Sequence, residues 1–394
     1  MKTRFVLVSV IVLVALVLAA CGPAATEAPK PPAATEAPVV ATEAPVVATE
    51  APAVDPMAEL VAAAQAEGEL TVIALPRDWA NYGEVIDAFA AKYGIKVNEL
   101  DPNAGSGDEL QAIRANKENK GPQAPDVIDV GLSFGPMAKE EGLIAPYKVA
   151  TWDTIPDGQK DADGYWYGDY YGVLAFETNS TVVTNPPTTF ADLKKPEYQG
   201  QFALSGDPRV SNMAILTVYA AALANGGSAA NMAPGLDFFK ELNAAGNLVP
   251  VIAKSGTVAN GETPITVMWD YLALGQKDTF AGNPEITVTV PEEAVVAGVY
   301  VQAISAYAPH PNAAKLWMEF LYSDEGQLLW LKGYVHPIRY NDLAARGVIP
   351  ADLAAKLPPA ELYTKAIFPT LDDQTLIKEY IVANWDTVVG VDVK

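Results

Sequence analysis

Sulfur and imidazole are nearly missing from this chain of 394 residues, which holds one cysteine and two histidines. With only Cys21 available, an intrachain disulfide and a multi-cysteine metal site are both excluded. With only His310 and His336, a multi-histidine metal centre is excluded as well. Positive charge is also scarce, 26 Lys and Arg against 48 Asp and Glu, for a net charge of −22. That balance argues against nucleic acid and against direct adhesion to an anionic bilayer, and it favours cationic partners. No cofactor is expected.

What the chain does have begins at its N-terminus. Lys2 and Arg4 precede an almost unbroken apolar run, Phe5 to Leu18, followed by Ala19, Ala20 and Cys21. A basic start, a short apolar stretch and small residues at its end describe a secretory signal. The run is shorter than the ~20 residues a spanning helix needs. Residues 1–20 therefore read as a signal peptide. Leu-Ala-Ala-Cys-Gly resembles a bacterial lipobox, which implies lipidation of Cys21. Acyl chains on that residue would anchor the mature protein to the outer face of the cell membrane.

Residues 21–54 are built from Ala, Pro, Thr, Glu and Val, and Ala-Thr-Glu-Ala-Pro recurs at 25–29, 34–38, 41–45 and 48–52. Such a segment buries nothing to offset its ordering entropy and reads as a tether. Recurrent proline extends it at ~3.1 Å per residue. The remaining residues, about 340, exceed what one core usually serves, so two lobes are expected.

Asp55 and Pro56 make a helix start. Strand patterns at 69–75, 95–100 and 126–130 then alternate with helical ones at 82–93 and 108–117. This alternation predicts βαβ units and a parallel sheet with helices on both faces. Asp161-Ala-Asp-Gly164 with the aromatic residues after it reads as a hairpin, and 172–179 as a strand. A second α/β block follows, with strands at 201–204 and 265–269 and helices at 211–224 and 235–245. The segment 299–307 alternates as a strand, 311–321 has helical period, and further helices finish the chain.

Several motifs bear on chemistry. Gly131-Leu-Ser-Phe-Gly135 matches the nucleophile elbow of serine hydrolases, with Ser133 as nucleophile and His336 or His310 as base. Pro136 sits where the elbow's helix would already run, and neither histidine has an acidic partner by pattern. Asp157–Tyr170 is acidic like a calcium loop, but with Gly164 at the loop's sixth position the twelfth, where a bidentate Glu is required, is Tyr170.

Three loops instead place small polar residues at helix starts just after strands: 103–108 with Ser106 and Gly107, the loop of Ser133, and 207–212 with Ser211 and Asn212. Helix N-termini leave N–H groups unpaired and accept oxyanions, and strand C-termini are where open α/β sheets bind ligands. Trp79 and Tyr82 follow the first strand, and Trp269 with Asp270 follows a later one. An aromatic face beside a carboxylate suits an ammonium group.

The stretch Asn185–Asn212 (NPPTTFADLKKPEYQGQFALSGDPRVSN) resembles the corresponding segment of solute-binding proteins of ABC importers. The similarity is to the cluster that handles polyamines, ferric iron, phosphonates and thiamine. His310–Gln327 looks like the late helix of that family, and Glu141–Tyr147 is also typical of it. The resemblance runs from about residue 68 to 340.

It implies a type II periplasmic-binding-protein-like α/β fold, two lobes joined by two crossing strands (172–178 and 298–305), and no catalysis. Lobe I would take 55–176, lobe II 177–297, and residues 298–394 would complete lobe I and add C-terminal helices. The implied role is capture of a small polar solute between the lobes and its delivery to an ABC permease by a tethered monomer. Candidate ligand contacts are Trp79, Tyr82, Ser106, Gly107 and Ser133 from one side. Ser211, Asn212, Trp269 and Asp270 come from the other, with Tyr300 on the second crossing strand. A polyamine or other amine or zwitterion fits the aromatic and acidic members; ferric iron or a phosphonate or phosphate ester is the alternative.

Overall fold

The computed structural model describes residues 55–357, 362–363 and 365–394. The signal peptide, Cys21 and the tether lie outside these residues. Among the described residues no helix is long and apolar enough to cross a membrane.

Helix α1 (Pro56–Glu67) starts on the Asp55 side chain, which accepts from the Met57 N–H. Strand β1 (Glu69–Ile73) and strand β2 (Lys96–Leu100) pair in parallel around helix α2 (Tyr82–Tyr93). That helix buries Tyr82, Val85, Ile86 and Phe89 along one face and ends at Gly94, whose positive φ of 68° lets its N–H reach back to Ala90. Helix α3 (Ser106–Ala115), strand β3 (Val127–Gly131), helix α4 (Phe134–Glu140) and strand β4 (Ile144–Ala145) follow.

The sheet is mixed, not parallel throughout. Strand β3 does not extend the β1–β2 ladder. It pairs antiparallel with β10 (Ala297–Ser305), because β10 returns through the molecule in the opposite sense. The long strand β5 (Tyr167–Asn179) runs antiparallel to β10 along its first half. Along its second half it pairs with β8 (Ile265–Trp269). Parallel pairing resumes where β6 (Phe202–Leu204) lies between β8 and β7 (Leu248–Val249). The order is β3-β10-β5-β8-β6-β7. Strands β5 and β10 are thus the two that carry the chain from the first α/β block to the second.

Helices α5 (Asn212–Ala224) and α6 (Ala233–Ala245) cover the second block, and α5 is apolar around most of its circumference, as a helix buried on all sides must be. Helix α7 (Ser255–Ala259) is one short turn, and α8 (Asp270–Phe280) begins directly at the end of β8. Helix α9 (Pro311–Leu321) packs Trp317 on Phe89, centroids 5.1 Å apart, and its first N–H groups are capped by the Glu67 carboxylate.

The C-terminal helix Leu371–Val388 does not stay with the first block. It lays Trp385 on Phe239 of α6 at 5.6 Å, and the final carbonyl, Lys394, accepts from the Ile252 N–H at 2.9 Å.

Candidate functional site

A cavity of about 420 Å³ opens between the two blocks, within the range of small-molecule sites. Its wall on one side is the loop after β1 with Trp79, the start of α3 with Ser106, and Asp129 in the middle of β3. On the other side are the loop after β6, the start of α5 with Ser211 and Asn212, the segment leading into α7 with Lys254, and Met268 of β8. Tyr300 of β10 also lines it. These are the C-terminal ends of the parallel strands, where the loops converge because each helix must start there.

The oxyanion-accepting features face in from both sides. Ser106 and Asn212 are the first residues of ten- and thirteen-residue helices, so their N–H groups have no partner within the helix. The Ser106 side chain is buried and accepts from the Gly131 N–H at 3.1 Å. Ser211 makes no capping bond of its own. The two sides approach closely: a Cβ on Gly131 would lie 2.2 Å from Cγ of Asn212.

Behind this front stands an acidic group. Asp129 is 4 % exposed, and its Oδ2 accepts from the phenols of Tyr82 at 2.9 Å and Tyr170 at 2.7 Å. No donor reaches its Oδ1. Its N–H donates to Glu109 Oε2 at 2.9 Å. Asp169, fully buried, accepts from Gln302 at 3.0 Å, and its Oδ2 lies 3.5 Å from the same Tyr82 hydroxyl that donates to Asp129. Burial pushes the Asp129 carboxyl up to about 7, against the pull of the two phenols. Burial, then the neighbouring Asp129, drive Asp169 and Glu109 well above the usual range. Like charges this close in a dry place do not all ionise. Trp79 stands half-buried at the edge, its indole N–H donating to Tyr170 at 2.8 Å and its ring 5.5 Å from Tyr300.

Of the residues expected at the site, Trp79, Ser106, Ser211, Asn212 and Tyr300 line the cavity. The other five do not. Tyr82 is wholly buried beneath it and reaches it only through Asp129. Gly107 is absent from the lining, although a Cβ there would face Val210, which belongs to it, and Phe134. Ser133 begins α4 on another side, with no capping bond, while Gly135 abuts the Trp166 ring.

Trp269 is buried against Gly298, where a Cβ would come 2.0 Å from its ring, and its indole N–H points to the Tyr300 hydroxyl at 3.4 Å. Asp270 is an internal fastener: Oδ1 accepts from the Val173 N–H at 3.0 Å and Oδ2 from Tyr363 at 2.6 Å. Both went to the interior because β8 ends against the crossing strands. Of the two bases a hydrolase could use, His336 bonds Tyr171 at 3.1 Å and burial lowers it to about 4, while His310, contrary to the pattern, does meet an acid, Asp126 at 2.8 Å.

The cavity also holds residues that sequence reasoning passed over: Asp129, Glu109, Lys254 and Gln276. Only Asp129 left a signal. In Asp-Val-Ile-Asp-Val the second acid sits inside a strand otherwise fit for burial, and a buried acid needs a reason.

The architecture is that of a type II periplasmic binding protein. Residues 123–361 match the family described as bacterial extracellular solute-binding protein, and the chain belongs to that family, one of binding proteins and not of enzymes. The chain is 30 % identical over 121 residues to a Sinorhizobium fredii protein described as "Probable ABC transporter periplasmic-binding protein y4fP". That match covers 30 % of this chain and 32 % of the relative, about a third of its length.

Among solved structures, the periplasmic binding protein AfuA from Actinobacillus pleuropneumoniae, with fructose-6-phosphate bound, matches at a TM-score of 0.62 and 21 % identity. Iron-bound HitA from Pseudomonas aeruginosa matches at 0.61 and 21 %. AgtB from Agrobacterium tumefaciens R10, in complex with agropinic acid, matches at 0.65 and 17 %. Each alignment covers 82 % of this chain and 99 % of the other. At these identities the likeness shows the fold alone.

Proposed function

We propose that this protein is a lipid-anchored receptor on the outer face of the cell membrane, held there through Cys21 and the 21–54 tether. In this reading it captures a small amine or zwitterion between two lobes and hands it to an ABC permease. The observation that carries the ligand class is that the cavity is lined by two kinds of group. The Asp129 and Glu109 carboxylates and the Trp79 ring supply the environment of an ammonium group. The starts of α3 and α5, with Lys254 nearby, supply that of an oxyanion. Asp207 adds little net charge, since it is forked by Arg209 at 2.8 Å.

A ferric-iron reading is less well supported: among the described residues no group of three His, Asp or Glu is placed to hold a metal. A phosphate or phosphonate ester without an amine would use the helix starts but leave the Asp129 wall unmatched. A thermal-shift screen with putrescine, 2-aminoethylphosphonate, methylphosphonate and ferric citrate separates these. Stabilisation by the amines of about 2.7 kcal/mol at a hundredfold excess over Kd is expected. Stabilisation by methylphosphonate or ferric citrate alone would contradict the amine reading.

A further inference from the structure

The acidic group beneath the cavity has more parts than a single ammonium needs, and its arrangement suggests an exchange. Asp129 and Asp169 meet at one phenol in the interior, the Tyr82 hydroxyl lying 2.9 Å from the first and 3.5 Å from the second. Glu109 is held to the same backbone. Among the described residues no Lys or Arg ion pair reaches any of the three; the cavity's cation, Lys254, stands on the opposite wall. Both lone-pair directions of Asp129 Oδ2 are taken up by phenol donors, so a proton or a ligand cation must be served by Oδ1, which has no donor, or by Asp169.

Resting on the amine reading above, we propose that Asp129, with Asp169 behind it, is the cation subsite, and that a ligand's ammonium enters there in exchange for the proton the two acids share. The ammonium brings its positive charge and three donors to the Asp129 carboxylate, the shared proton leaves to solvent, and the net charge of the buried group is the same before and after. That balance is what makes burial of the ligand charge affordable.

Other titratable groups face Asp129 from every element packed against it. Tyr82 of α2, Tyr170 of β5 and Tyr271 of α8 are fully buried phenols held well above their usual value. Tyr300 of β10 and Tyr322 after α9 are raised as well. Glu109 of α3 is raised well above the usual carboxylate range by burial and then by Asp129. The neutral Gln302 completes the ring from β10. Asp129, which also lines the cavity, is pushed up to about 7 by burial, so a proton held there is exchangeable near neutral pH.

Calorimetric titration of the protein with 2-aminoethylphosphonate and with putrescine, in two buffers of different ionisation enthalpy, tests this. Close to one proton should be released per amine bound at pH 6. Affinity should weaken as pH falls from 7 toward 5, by up to tenfold per unit beyond the ligand's own ionisation. Asp129→Asn should bind at least tenfold more weakly, release no proton and lose that slope. Asp169→Asn should keep part of the affinity with a shifted slope, and it serves if Asp129→Asn fails to fold. Amine binding without proton release, or equally tight binding by Asp129→Asn, would overturn the exchange alone. If neither amine binds the wild-type protein, the amine reading itself falls, and the exchange with it.

Discussion

A single carboxylate in the wrong surroundings shows how far residue type alone misleads. Asp270 follows a strand end beside a tryptophan, the setting of a ligand contact, yet both its oxygens are engaged by Val173 and Tyr363. Asp129, in the middle of an apolar strand, does reach the cavity. The difference lies in which direction each backbone turns after its strand, and residue identity carries no trace of that.

Glu177 is a third case. It is fully buried on β5, no donor reaches either oxygen, and burial pushes it up to about 8. In the unfolded chain it would ionise near its ordinary 4.5. The folded state therefore binds the extra proton between those values, so stability present at low pH is lost as pH rises toward 8. Glu177→Gln should remove this loss. Above pH 8 its unfolding free energy should exceed that of the wild type by about 5 kcal/mol, and at pH 4 the two should coincide. Equal midpoints at pH 9 would show that the carboxylate has a partner when ionised.

At the scale of elements, closure depends on a glycine. Gly131 ends β3 on one side of the cleft and Asn212 opens α5 on the other, with no room for a Cβ between them. Gly131→Ala should hold the cleft ajar and weaken amine binding at least tenfold with little change in the unfolding midpoint. Asn212→Ala, made on top of it, should recover part of the loss, so the two substitutions are strongly non-additive. Additive losses in titration would mean that the two residues do not meet when ligand is bound.

Most elements on either side of this contact were legible in the sequence. Helices 82–93 and 311–321 and strand 265–269 match their periodicity, because hydrophobic spacing and local burial agree there. The antiparallel placement of β3 beside β10 was not legible, since the two strands lie far apart in sequence and each is buried on both faces. An apolar strand of that kind does not encode the direction of its neighbour. The same limit hid half of the candidate site: the helix starts could be read locally, but which aromatic residues turn inward depends on the crossing strands.

For the whole molecule, the geometry assembles one cavity from two α/β blocks whose only strand connections are β5 and β10. Neither wall alone surrounds a solute, so in the proposed reading the ligand would hold the blocks together, a shift of population toward a closed form. The directest test is the distance between spin labels at Gln111 on α3 and Glu262 beyond α7, both exposed and away from the cavity lining, in protein whose Cys21 is replaced by Ser. Pulsed dipolar spectroscopy without and with saturating 2-aminoethylphosphonate should show a broad distribution giving way to one shorter, narrower distance. An identical distribution in both samples, with binding verified by calorimetry, would contradict capture by closure.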